Sequence, residues 1–377
     1  MREQSFLTKT VADNRATRFG LLVLWSWLLM VWVVPVSIAG QACSECHTMH
    51  NSQNGSAVVG SGPLDKLLKG DCIGCHTGTN TSSTNTPYVH STSAQYGTTG
   101  TENPDSNTLA GGNFRWVAND DAYGHNIAGL FTEDPLATAD TGNNNPGFGS
   151  GLTAADGTTV GSDWSNNQLT CAGTYGCHGT HSTTSEMDAV VGTHHNSSTG
   201  AVIPSATTPT PADSFRALVG IEGYEDPDWE FQPTASAHNQ YKGVDGAAGT
   251  DDTTISYLCG QCHGTFHQNS NSSSPWLRHP TDYDMANSNR SDYDEYNGGT
   301  GTNNTYSVVA PVASSPITSS TVPLSTVTPG TTATEDTIVT CISCHRAHGS
   351  PYYKMMRWDY ATGTNWSYCA ICHTTKD

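Results

Sequence analysis

A chain of 377 residues with 34 acidic against 15 basic side chains has a formal charge of −19, which repels a phosphate backbone and excludes nucleic acid as a natural partner. Only 35% of the residues are hydrophobic, and long stretches lack both helical and strand-like apolar periodicity. An ordinary layered domain is excluded, because such a chain buries too little apolar surface to offset the entropy of ordering it.

The first segment, residues 1–39, sets Arg2, Lys9, Arg15 and Arg18 ahead of an apolar run over 21–36, with small residues at Ser37, Ala39 and Gly40. This is the pattern of a secretory signal peptide cut near Ala39. An apolar run of about sixteen residues is short for a membrane span, although an uncleaved anchor is the alternative. Without the four basic and two acidic side chains of this segment, residues 40–377 keep 11 Lys+Arg against 32 Asp+Glu, a formal charge of −21. That balance is compatible with positively charged partners or mineral surfaces.

Twelve cysteines follow, all in pairs, and histidine directly follows the second member of each pair. The pairs are Cys43 and Cys46 with His47, Cys72 and Cys75 with His76, and Cys171 and Cys177 with His178. Then come Cys259 and Cys262 with His263, Cys341 and Cys344 with His345, and Cys369 and Cys372 with His373. Five read C-x-x-C-H, the attachment motif for c-type haem. Two thiols one short helical turn apart reach the two vinyl groups of one haem, and the next imidazole sits under the iron. With 16 histidines in 377 residues, six in six such places arise by chance with a probability of roughly 10⁻⁸. Disulfides or zinc clusters would need no such histidine. The third motif is wider, with five residues between Cys171 and Cys177; Gly173 and Gly176 permit a bulge that still brings both sulfurs to one haem. Single-thioether attachment or a local disulfide are the alternatives there.

Six haems on about 338 mature residues leave roughly 56 residues each, too few for a layered domain between them. The expected fold is therefore a single multihaem cytochrome c domain over 40–377. It should be mostly coil, with short helices at the motifs and very little sheet, around a core of six stacked haems. Residues 77–112 and 297–336, rich in Thr, Ser, Asn, Gly and Pro, read as loops or linkers that wrap haem faces. The pattern does not decide whether 215–221 and 355–358 are short helical or strand pieces.

A second histidine follows four of the proximal ones: His50 after His47, His181 after His178, His267 after His263 and His348 after His345. Spacings of three or four put both rings on one face of a turn. The later ring starts on the proximal side of its own haem, so it ligates a neighbouring haem or none. Six irons need six distal ligands, and His50, His181, His267 and His348 leave two to find. His90, His125 and His279 are the main candidates and His194, His195 and His238 the weaker ones; His194 and His195 lie in a Ser/Thr-rich stretch and read as exposed, and His238 is undecided. Met49, Met187, Met285, Met355 and Met356 are the few competing ligands. The histidine supply favours bis-His haems, which have lower reduction potentials than His/Met ones and leave no position open for a substrate.

Several blocks extend beyond the attachment motifs: Glu45-Cys-His-Thr-Met-His-Asn-Ser52, Gly111-Gly-Asn-Phe-Arg-Trp-Val117, Gly124-His-Asn-Ile127 and Phe266-His-Gln-Asn-Ser270. Leu277-Arg-His-Pro280, Cys341-Ile-Ser-Cys-His-Arg-Ala-His348 and the ending Cys369-Ala-Ile-Cys-His-Thr-Thr-Lys-Asp377 complete the set. In this order they resemble the extracellular hexahaem cytochromes of metal-reducing bacteria that polymerise into conducting filaments. The loops between the blocks look unlike, and the widened third motif departs from the family pattern. The resemblance implies haems stacked as alternating parallel and T-shaped pairs in subunits joined head to tail. It also implies that His50 ligates, in the adjacent subunit, the haem attached through Cys341, Cys344 and His345.

The function expected is non-enzymatic electron transfer, by a secreted protein that travels through the periplasm to the cell surface or beyond. Its expected partners are copies of itself, redox cytochromes, minerals or electrodes. A monomeric shuttle is the first rival, and a multihaem oxyanion reductase, which needs a five-coordinate iron, is the second. Intact mass of the mature protein should exceed that of the polypeptide by six haems; a mass short by one would place the failure at Cys171 and Cys177.

Overall fold

A computed structural model describes residues 71–84, 86–96, 106–130, 167–195, 210–245, 251–263, 281–287, 295–297, 304–318, 322–330, 334–360 and 366–373, and strand residues 52–53, 56–57, 202–203 and 299–300. The chain divides into two units, Met1–His47 and Thr48–Asp377, and every described residue belongs to the second. The segment expected to be a signal peptide lies outside the described residues, and so does the whole first motif, Cys43, Cys46 and His47. The candidate ligands His50, His267 and His279 lie outside them as well. No helix among the described residues is long and apolar enough to cross a membrane.

Regular structure is brief and is concentrated at the motifs. Helix α1 (Cys72–Cys75) is one turn, capped by the Asp71 carboxylate, which accepts from Gly74 N–H at 2.6 Å. The sheets are of two or three strands: β1 (Ser52–Gln53) pairs with β2 (Ser56–Ala57), and β3 (Thr170–Ala172) with β4 (Gly176–His178). After helix α2 (Glu186–Ala189), β5 (Val202–Ile203), β6 (Gly223–Tyr224) and β7 (Gln240–Tyr241) form an antiparallel triplet. Helix α3 (Ile255–His263), nine residues long, holds the fourth motif in its last turns. Strand β8 (Tyr283–Asp284) pairs with a strand near the C-terminus, while β9 (Glu295–Tyr296) pairs with β10 (Gly299–Thr300) and β11 (Asn304–Thr305) with β12 (Thr326–Val327). The partner of β8 is β13 (Ile338–Val339), which leads straight into helix α4 (Cys341–Cys344), the fifth motif. The sixth motif lies on a 3₁₀ segment, Trp366–Ile371.

This coil-rich architecture agrees with the sequence expectation, with two differences. The third motif is not helical. On an α-helix, cysteines six positions apart would lie about 9 Å apart along the axis. Instead β3 and β4 run parallel with Thr170 level with Gly176 and Ala172 level with His178, which sets Cys171 beside Cys177. The turn between them requires glycine: Gly173 has φ +88°, and a Cβ on Gly176 would lie 2.4 Å from the Ala172 nitrogen.

The second difference concerns 297–336, expected to be loop or linker without a core of its own. Its Tyr306, Val312 and Val327 are buried and form a cluster with Met285 and Tyr296, against which Ile371 and Cys372 of the sixth motif pack. A second cluster joins Phe215, Leu218, Ile221, Tyr241, Ile255, Ala313, Ile338 and Ile342 under α3 and α4. A small third cluster, Ala172, Ala189 and Val190, seats the third motif on α2. The apolar residues are few, but they gather where the cysteines are.

Candidate functional site

The one-turn helices α1 and α4 each deliver a histidine just past their ends. His76 N–H donates to Cys72 O at 2.8 Å and His345 N–H to Cys341 O at 3.1 Å, so the chain keeps its helical turn up to the ligand. Three of the proximal rings are then held from behind by a backbone carbonyl. Nδ1 lies 2.7 Å from Pro87 O for His76, 3.1 Å from Arg216 O for His178 and 2.9 Å from Lys354 O for His345. A carbonyl only accepts, so Nδ1 carries the proton and Nε2 is left with its lone pair, as a metal ligand requires. No disulfide joins any of the ten described cysteines of the second to sixth motifs; Cys43 and Cys46 of the first are outside the described residues.

Three proximal rings each face a second histidine at nearly one separation. The ring centroids are 6.1 Å apart for His76 and His194, 6.1 Å for His125 and His263, and 6.3 Å for His178 and His348. A metal about 2 Å from each of two imidazole nitrogens, with each ring centre about 1 Å further on, separates the centroids by roughly 6 Å. These three pairs therefore have room for one iron each. His348 is further fixed by stacking on Phe114, with centroids 4.6 Å apart, and His125 by its Nδ1, 2.6 Å from Ala347 O.

Electrostatics agree with neutral imidazoles. Burial pushes the His348 pKa down to about 3, helped by the charges of His178 and His125; burial also lowers those of His125 and His178. Metal binding needs the unprotonated ring, so little is lost to proton competition.

The motifs are also neighbours of one another. The Cys72 and Cys171 side chains hydrogen-bond, and with the Glu186 carboxylate their ligand atoms lie within 4.8 Å of one another. Glu186 is engaged by its own motif, accepting from Cys171 N–H at 2.6 Å. Cys177 is near enough to Cys259 and Cys262 to shift their thiol pKa values, Cys259 hydrogen-bonds Cys341, and Cys344 is similarly near Cys369 and Cys372. Motifs two to six thus adjoin in chain order.

Of the sequence candidates, His125 and His348 stand opposite proximal histidines. His90 lies beside the second motif, where its Nδ1 is 3.3 Å from the Thr77 hydroxyl. His181 is exposed on the loop after the third motif. His194 is exposed as expected, yet it is the ring facing His76, a role its Ser/Thr-rich surroundings gave no sign of. His238 is fully buried, stacked on Tyr306 at 3.8 Å, with Nδ1 2.8 Å from Asn239 O and Nε2 3.1 Å from Leu324 O. Each ring nitrogen faces a backbone carbonyl and the ring is enclosed, so it packs the core and presents no nitrogen to a metal.

A family model described as a doubled CXXCH motif matches residues 333–377, which hold the fifth and sixth motifs. Covalent attachment of c-type haem is the chemistry of that motif. No curated protein matches the chain. Among solved structures it is similar to the Outer Membrane Cytochrome S filament from Geobacter sulfurreducens, with 21% identity over 85% of this chain and 84% of that chain and a TM-score of 0.41. It is similar also to the OmcS nanowires from Geobacter sulfurreducens seen by cryo-EM, with 22% identity, the same coverage and a TM-score of 0.43.

A Cβ added at Gly111 would lie 2.7 Å from His348 Nδ1. Gly111→Ala should therefore push the His348 ring out of line with His178. The haem count by mass should be unchanged while the low-spin absorption and EPR signal of one haem weaken.

Proposed function

We propose that the protein is an electron conduit: an exported cytochrome with six covalently attached haems, each held by two histidines, that assembles head to tail into an extracellular filament. The observation that carries the haem part of this reading is the set of three histidine pairs at iron-bridging separation, along motifs that adjoin in order. Each bound haem supplies a one-electron ferric/ferrous couple. The chain's own residues space the couples, fix both axial rings and exclude water.

On this reading Cys43 and Cys46 anchor the first haem as the other five pairs anchor theirs, and His194, His348 and His125 are the distal ligands opposite His76, His178 and His263. His50, His90, His181, His267 and His279 supply the other distal positions, with candidates to spare. An iron closed on both faces has no position for an oxyanion, which favours a conduit over a reductase. The filament part rests on the sequence blocks shared with filament-forming hexahaem cytochromes and on the place of His50 close to the mature N-terminus, where a chain reaches outward most easily. Positively charged redox partners and mineral surfaces suit the acidic chain.

Two variants test the two parts separately. His194→Ala should keep six haems by mass but leave one iron five-coordinate, so that the reduced protein takes up about one equivalent of carbon monoxide; no uptake would remove His194 as a ligand. His50→Ala should keep six haems and export but lose filaments in cryo-electron micrographs. Normal filaments from that variant would leave the monomeric shuttle as the better reading.

A further inference from the structure

Two segments, far apart in the chain, have the same unusual backbone. Arg216 (φ 49°, ψ 35°) and Ala217 (φ 60°) form a left-handed pair, and so do Lys354 (φ 61°, ψ 32°) and Met355 (φ 58°). None is glycine, and the left-handed conformation crowds the Cβ of an ordinary residue against its following carbonyl oxygen. Such strain persists only where the surroundings over-determine it, commonly at functional sites.

The two pairs make the same hydrogen bonds. The first carbonyl of each meets a proximal histidine: Arg216 O is 3.1 Å from His178 Nδ1, and Lys354 O is 2.9 Å from His345 Nδ1. The second carbonyl accepts from the N–H of the residue after that histidine, Gly179 to Ala217 O at 2.7 Å and Arg346 to Met355 O at 2.8 Å. The turn is closed alike, Ala217 N–H donating to Ser214 O at 3.3 Å and Met355 N–H to Tyr352 O at 3.0 Å. In an extended chain successive carbonyls point in opposite directions. In a helical pair, left-handed included, they point the same way, so two adjacent carbonyls can serve one ligand loop. The conformation alone is not the device. A third left-handed pair, Trp229 and Glu230, directs the Trp229 carbonyl to Ala110 N–H instead. His76 takes its carbonyl from Pro87, which has no such backbone.

We infer that Arg216–Ala217 and Lys354–Met355 are positioning residues, a repeated two-carbonyl clamp that fixes the ring plane and tautomer of His178 and His345 and thereby lowers the reduction potentials of the haems they hold. This rests on the reading of both histidines as haem ligands. A carbonyl on Nδ1–H makes the imidazole a stronger donor, which favours the ferric state.

Lys354 gives the cleaner test. Its side chain is exposed and lies over the Tyr353 ring at 5.0 Å, whereas the Arg216 side chain also binds Asp226 O and Asn239. In the full-length, haem-loaded protein, glycine accepts φ > 0 and β-branched valine resists it. Lys354→Gly should keep all six midpoint potentials and the ferric EPR spectrum, and should melt no lower than the parent. Lys354→Val should raise one midpoint potential and change one low-spin EPR signal, with six haems still attached by mass. Equal potentials and spectra in both variants, or an equal shift in both, would overturn the clamp. So would a lower melting temperature for Lys354→Gly, a measurement that stands even if the valine variant does not fold. Failure of the underlying reading looks different: His345→Ala would then retain every low-spin signal.

Discussion

In the proposed ligation, two imidazoles must meet one point from opposite sides, and this geometry governs the rest of the fold. The rings come from distant parts of the sequence: His178 faces His348, and His263 faces His125. Local hydrogen bonding cannot impose such a separation. The chain between must therefore close long loops, at an entropic cost that grows slowly with length. In that ligation, iron–nitrogen and thioether bonds would offset the cost where apolar burial is scarce.

The small apolar clusters and buried arginines complete the frame. Arg357 donates through Nε to Ile342 O at 2.6 Å and through its backbone N–H to Cys344 O at 2.8 Å, satisfying carbonyls at the end of α4. Arg346, fully buried, donates to Ala110 O and to the Tyr96 hydroxyl. Hydrogen bonds from a charged donor contribute about 1.5–3 kcal/mol each, more than neutral ones. Polar side chains thus do part of what an apolar core does elsewhere, and they do it at the fifth motif.

The candidate attachment residues stand out in the sequence because their chemistry demands a fixed local spacing. So does the coil-rich fold, from missing periodicity. The pairing of histidines across space was less legible, since nothing local ties His194 to His76 or His125 to His263. The spacing of His348 from His345 directs its ring away from its own motif, but only the structure sets it opposite His178 of the third. The buried part of 297–336 escaped notice because Tyr306, Val312 and Val327 follow no period. His238 was undecidable from sequence, as only the fold shows it buried with the carbonyls of Asn239 and Leu324 beside its nitrogens. The left-handed pairs were equally hidden, since Arg, Ala, Lys and Met carry no preference for that backbone.

The segment after the fifth motif ties these features together. His348 stands opposite His178, while the carbonyl of its neighbour Ala347 holds His125, which stands opposite His263. One tripeptide, Arg346 to His348, therefore borders the third, fourth and fifth sites. Backbone approaches side-chain-free backbone along its flank: a Cβ on Gly112 would lie 2.0 Å from Gly349 O, and one on Gly124 would lie 2.5 Å from His348 O. His348 N–H donates to Gly111 O at 2.7 Å, and Asn113 N–H to Gly349 O at 2.9 Å. Close packing of this kind leaves the segment no soft direction in which to move. A displacement at the fifth motif would reach two other sites through covalent geometry and short hydrogen bonds, so the three centres are held in one register by a single seam.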